Sequence, residues 1–120
     1  MINLREAALL EDRVATTAPV RLEILYSARS APEYARRIIE LDSLRQVRCG
    51  SAAFDRALAV QKALGEAAAL HHRSVKINDL LIAAAAELAG VTVRHYDEDY
   101  DRICAITGQA VEWIVPRGSL

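Results

Sequence analysis

Acidic side chains crowd two short stretches of this chain. Asp79 lies in Ile77-Asn78-Asp79-Leu80-Leu81, and Asp97, Glu98, Asp99 and Asp101 lie in His95-Tyr96-Asp97-Glu98-Asp99-Tyr100-Asp101, with Glu23 further upstream. Several carboxylates aimed at one crevice repel each other unless a cation lies between them or some are protonated. The composition suits a hard divalent ion, Mg²⁺ or Mn²⁺, held by oxygen ligands and retained waters, whereas Zn²⁺ would call for His and Cys.

Each acid also has a plainer explanation. Asp79 falls in the first turn of a helix, where the macrodipole favours a carboxylate by about 0.3–1 kcal/mol. Its neighbours Ile77, Leu80, Leu81, Ile82 and the alanines at 83–86 are nearly all apolar, however. A helix apolar all round is buried, and a carboxylate buried with it needs a partner, which favours a site. Asp97 stands where a strand-to-helix junction places an N-cap, and Asp99 and Asp101 taken singly are helix-surface charges. Glu23 taken alone is at least as well explained as an exposed helical Glu, but it is flanked by Leu22, Ile24 and Leu25, which makes its helix another mostly buried one.

The elements around them decide whether these acids can meet. The Ala-rich stretch 77–89, closed by Gly90, reads as a helix, and Val91-Thr92-Val93-Arg94-His95-Tyr96 reads as a strand. A helix joined to a strand by so short a turn runs antiparallel to it, so Asp79 at the helix start lies beside Asp97 and Asp99 at the strand end. That C-terminal edge is where open α/β sheets bind ligands. Glu23 follows a strand at 14–17 and a helix start at Thr17-Ala18-Pro19, and reaches the same edge. The remaining expectations are a short helix over 3–11, an amphipathic helix over 32–44 with Tyr34, Ile38 and Leu41 on one face, and a brief strand over 46–49. A long helix over 51–70 should be capped by Ser51, with Phe54, Leu58, Gln61 and Leu64 as its apolar stripe. A loop His71-His72-Arg73-Ser74, a helix from Asp97 to about Ile106 ended by Thr107-Gly108, and a last strand over 110–115 complete the chain. Four strands separated by helices imply an α/β layer architecture with a mostly parallel sheet flanked by helices, in one domain spanning residues 1–120.

Composition narrows the function further. Fifteen basic against 16 acidic residues give a net charge of −1, so a polyanion would have to be held by a local patch or through a bound cation. Cys49 and Cys104 lie far apart without metal-ligand spacing, no signal-like segment opens the chain, and the apolar runs are too short to span a bilayer. A reduced, cytoplasmic protein with no membrane attachment is expected. Neither a Gly-rich phosphate loop nor a G-x-S-x-G elbow is present. His95 reads as a packed or partly exposed strand residue rather than a ligand, and His71 and His72 as solvated loop residues.

The blocks 14–25, 78–86, 95–100 and 108–116, in that order, resemble successive blocks of PIN-domain proteins, specifically the VapC toxins of bacterial toxin–antitoxin pairs. The resemblance implies a three-layer PIN-like fold and an endoribonuclease that hydrolyses RNA with Mg²⁺ or Mn²⁺ held by carboxylates. By position Glu23, Asp79 and Asp97 match the family's second, third and fourth acids, with Asp99 as the accessory acid. It also implies a VapB-like antitoxin whose C-terminal segment covers the acidic pocket, and a homodimer. Arg21, Arg29, Lys76 and Arg94 are candidates to hold the RNA backbone, each equally well read as a surface charge. The family's first strand and first acid have no counterpart in residues 1–13. The sheet is thus expected to lack its central strand and leave the strands at 14–17 and 91–96 unpaired: either the chain is an N-terminally truncated or mis-started version of the family's domain, or a neighbouring element or second subunit fills the gap. With one acid missing, a catalytically impaired module that only binds an antitoxin or itself is the alternative function.

Overall fold

A computed structural model describes residues 9–10, 15–114 and 117–118. Its strands are β1 (Leu9–Leu10), β2 (Ala15–Thr16), β3 (Arg45–Gln46), β4 (Val93–His95) and β5 (Val111–Trp113). Its helices are α1 (Ala18–Tyr26), α2 (Ala31–Asp42), α3 (Ser51–Ala67), α4 (Ile77–Ala89) and α5 (Glu98–Thr107), with a 3₁₀ turn at His71–Arg73. Proline in the first turn of α1 costs no hydrogen bond, because the amides there have no helical acceptor. The C-cap Gly90 takes φ 69°, a left-handed conformation that glycine adopts without a Cβ penalty and that turns the chain from α4 into β4.

The strands form one sheet in the order β3-β2-β1-β4-β5. The outer pairs β2–β3 and β4–β5 are parallel, as an α/β layer architecture requires. The centre differs from expectation. The gap between β2 and β4 is filled by Leu9–Leu10, antiparallel to both, with Leu10 opposite Ala15 and Leu9 opposite Arg94. The sheet therefore has five strands and its two halves are joined through β1, and at Leu9–Leu10 the helix expected over 3–11 is replaced by strand; the rest of that range lies outside the described residues. The backbone donors and acceptors along the facing edges of β2 and β4 must be satisfied, and a nearby extended segment does so whatever its own local preference.

Helix α4 is the centre of the core. Leu80, Ile82 and the alanines 83–86 are all buried, and the helix packs against α1, α3 and α5. Small side chains along α4 let neighbouring helices approach closely, and α3 answers with a small-residue face of its own: Ala53, Ala57, Val60 and Leu64 are buried. The stripe expected on α3 is thus displaced, since only Leu64 of it is buried, while Phe54 is 51% and Leu58 65% exposed. Ser51 is the first helical residue there rather than the cap; Gly50 holds the cap position. Arg56 donates to both carboxylate oxygens of Glu87 at 2.5 and 3.2 Å, tying α3 to α4. On α2, Leu41 is buried, Ile38 is partly buried against the core and Tyr34 is exposed.

Candidate metal centre

Three elements converge at the C-terminal end of β4. Helix α4 contributes Asp79 from its first turn, the β4–α5 junction contributes Asp97, and the first turn of α5 contributes Asp99. One carboxylate oxygen from each lies within 4.8 Å of the others. Asp97 is the N-cap of α5: its Oδ1 accepts from the Asp99 amide at 2.9 Å, fixing the helix start and aiming the second oxygen into the cleft. Asp99 is buried, with Oδ1 accepting from Arg102 and Oδ2 from the backbone amide of Lys76, each at 2.9 Å. Asp79 is only 4% exposed; its Oδ1 accepts from the Tyr100 hydroxyl at 3.0 Å, and its Oδ2 is buried with no hydrogen-bond partner.

The Lys76 ammonium sits over this cluster. Its Nζ is 2.6 Å from Asp97, 3.6 Å from Asp99 and 3.7 Å from Asp79. Burial disfavours its charge, but the bond to Asp97 and the three carboxylate charges outweigh that and raise its pKa. Asp79 moves the other way for an acid: burial first, then its contact with Asp99 and the charge of Asp97, push its carboxyl up to about 8 against the pull of Lys76 and Tyr100. Asp97 resists burial and stays below its ordinary value, because Lys76 and the Asp99 amide favour its ionised form. Without a metal, Asp79 therefore keeps a proton to higher pH than Asp97 does.

Glu23 faces the same cleft from α1. A cavity of about 620 Å³ is lined by Leu22, Glu23, Tyr26, Lys76, Asn78, Asp79 and Asp97 among others. The link between Glu23 and α4 is Asn78, whose amide donates to Glu23 Oε1 at 2.7 Å and to the Pro19 carbonyl at 3.0 Å. Sequence reading passed over Asn78; its position next to an acid in the first turn of a buried helix was the available signal. Of the other acids in the 95–101 stretch, Glu98 pairs with Arg102 and Arg117, and Asp101 lies 3.9 Å from His95 Nε2.

The supporting layer is aromatic. His95 is fully buried between Tyr100 and Trp113, with ring centroids 5.0 and 4.8 Å away. Its Nδ1 accepts from the Asp97 amide at 3.1 Å, so it fixes the backbone of the junction as a packed neutral residue, and burial holds its pKa down. Of the four cations considered for RNA, Arg21 is paired with Asp42 at 2.8 Å, Lys76 is in the carboxylate cluster, Arg94 has a buried Nε without a hydrogen-bond partner, and Arg29 is exposed.

Three carboxyl groups sharing one point, one with a buried oxygen that no donor satisfies, make a donor set of hard oxygens that fits a small divalent cation. Comparison with known proteins places the chain in a family. The PIN domain profile matches residues 3–106. Ribonuclease VapC18 of Mycobacterium tuberculosis is 59% identical over 114 residues, covering 95% of this chain and 83% of that protein. Ribonucleases VapC51 and VapC21 of the same species are each 44% identical, over 107 and 99 residues, with 76% and 70% of their lengths covered. The chain belongs to the PIN-domain family, in its VapC branch.

Proposed function

We propose that this chain is an endoribonuclease toxin of a VapBC-type pair that hydrolyses RNA phosphodiester bonds with Mg²⁺ or Mn²⁺. The observation that carries the reading is the convergence of Asp79, Asp97 and Asp99 around the buried Oδ2 of Asp79, which no hydrogen-bond donor satisfies. Asp79, Asp97 and Asp99 would hold the cation, with Glu23, tied to α4 by Asn78, completing the site from across the cleft. A cation held there supplies a water of lowered pKa and a counter-charge for the phosphoryl oxygens. The chain's own contribution is placement: the Asp97 cap, the Tyr100 hydroxyl and the Arg102 bond hold three carboxylates in one orientation, so little reorganisation is needed when charge develops on the phosphate.

The reading includes a VapB-like antitoxin over the acidic pocket, a homodimer, and cytoplasmic residence. Among the described residues no helix is long and apolar enough to cross a membrane. Arg29, exposed on the loop after α1, is the candidate cation best placed to meet an RNA backbone without breaking an existing ion pair. Arg21, Lys76 and Arg94 stay in the proposal as weaker contacts. A second reading, a binding module without catalysis, is favoured by one observation: Lys76 already offsets charge in the cluster. Purified protein incubated with structured RNA separates the two. Cleavage with Mn²⁺ that chelator abolishes supports the nuclease; intact RNA at every metal concentration supports the binding module.

A further inference from the structure

The placement of Lys76 asks for an explanation beyond surface charge. The residue is anchored through its backbone and ion-paired through a solvent-accessible side chain. Its backbone amide donates to Asp99 Oδ2 at 2.9 Å, while its side chain is 68% exposed at the mouth of the cleft lined by Glu23, Asp79 and Asp97. Its ammonium approaches one oxygen of each of the three carboxylates that a divalent ion would use. An ammonium and a divalent cation cannot share that point, since like charges a few ångströms apart repel strongly. The stem is flexible, so the ammonium can leave without moving the α4 backbone.

We propose that Lys76 is the counter-cation of the carboxylate cluster in the metal-free protein: it holds the three carboxylates together until a divalent ion displaces it, and the displaced ammonium then binds a phosphate of the RNA at the cleft mouth. The inference rests on the ribonuclease reading and deepens it by naming the residue that couples metal entry to substrate binding. A lysine beside a metal-bound phosphate acts as a point charge, a role its short reach from the N-terminus of α4 allows.

The test uses the whole chain and a built-in reference, since Lys62 on α3 is the chain's other lysine and is exposed. Amine-reactive labelling read by mass spectrometry should show Lys76 protected relative to Lys62 without metal, and its labelling should rise several-fold on saturation with Mn²⁺ while Lys62 stays constant. Titration calorimetry should show that Lys76→Met binds Mn²⁺ several-fold more tightly than wild type, with Lys76→Arg close to wild type. For RNA cleavage, Lys76→Met should raise KM several-fold more than it lowers kcat. Equal Mn²⁺ affinity of wild type and Lys76→Met, or labelling of Lys76 that Mn²⁺ leaves unchanged while calorimetry shows saturable binding, overturns the inference and leaves the ribonuclease reading standing. Absence of saturable Mn²⁺ binding by wild type overturns both. The labelling arm needs no variant, so a folding failure of Lys76→Met still leaves the proposal decided.

Discussion

Replacing Asp79 by Asn should stabilise the metal-free chain and abolish its metal response. Burial and neighbouring acids move the Asp79 carboxyl from 3.8 to about 8. A raised folded-state value means that the folded chain keeps its proton more tightly than the unfolded one. The stability from that proton is complete below about pH 3.8 and is lost as pH rises through about 8. At about 1.36 kcal/mol per pH unit, the span bounds the penalty at about 6 kcal/mol. That bound already includes the pull of Lys76 at 3.7 Å; a buried Asn amide still pays to leave water and Lys76 loses one of its partners, so the expected gain for Asp79→Asn at pH 8 is about 2 kcal/mol. Asn retains an oxygen for the Tyr100 hydroxyl, and its amide can donate where Oδ2 has no partner. For a chain of this length the gain corresponds to a rise of about 8 °C in Tm. At pH 5 less than about a third of the difference should have developed. Thermal unfolding in EDTA at pH 5 and pH 8, for both proteins, measures it directly. A variant that melts below wild type at both pH values would mean that Asp79 is a structural hydrogen-bond acceptor, and would refute the argument.

The affinity for Mn²⁺ should strengthen as pH rises from 6 to 8, by up to about tenfold per pH unit, because Asp79 must release its proton to bind; calorimetry in two buffers of different ionisation heat gives the proton count. Glu23→Gln should lower RNA cleavage by about 10–100-fold while leaving the unfolding free energy within about 0.5 kcal/mol of wild type, because its oxygen still accepts from Asn78. Tyr100→Phe, at a buried position, should cost about 1–2 kcal/mol by removing the donor to Asp79, measured by urea unfolding, and should widen the pH range over which metal binding develops.

The site was more legible than the sheet. Helix α4 could be read end to end, because an apolar run closed by glycine leaves few alternatives, and the antiparallel return into β4 then forces Asp79 against Asp97 and Asp99. The Asp97 cap is a local signal too, since its side chain bonds two residues along. The centre of the sheet is different. Nothing in Leu9–Leu10 marks a strand; the segment is extended because two edges on either side need partners, a demand set by tertiary structure. On α3 the larger side chains pointed to the wrong face, because α4 offers alanines and the tight approach selects Ala53 and Ala57 over Phe54 and Leu58. In the sequence Lys76 stays open between an RNA contact and a surface charge, because only the fold gives it three carboxylates at once.

The most direct measurement is cleavage of a structured RNA by wild type and Asp79→Asn, each with Mn²⁺ and each with chelator. The account predicts defined internal cleavage for wild type with Mn²⁺ alone, and none in the other three reactions, with the variant still folded by circular dichroism. Equal cleavage by wild type and variant, or cleavage that persists in chelator, would contradict the assignment of the carboxylate cluster as the catalytic metal centre.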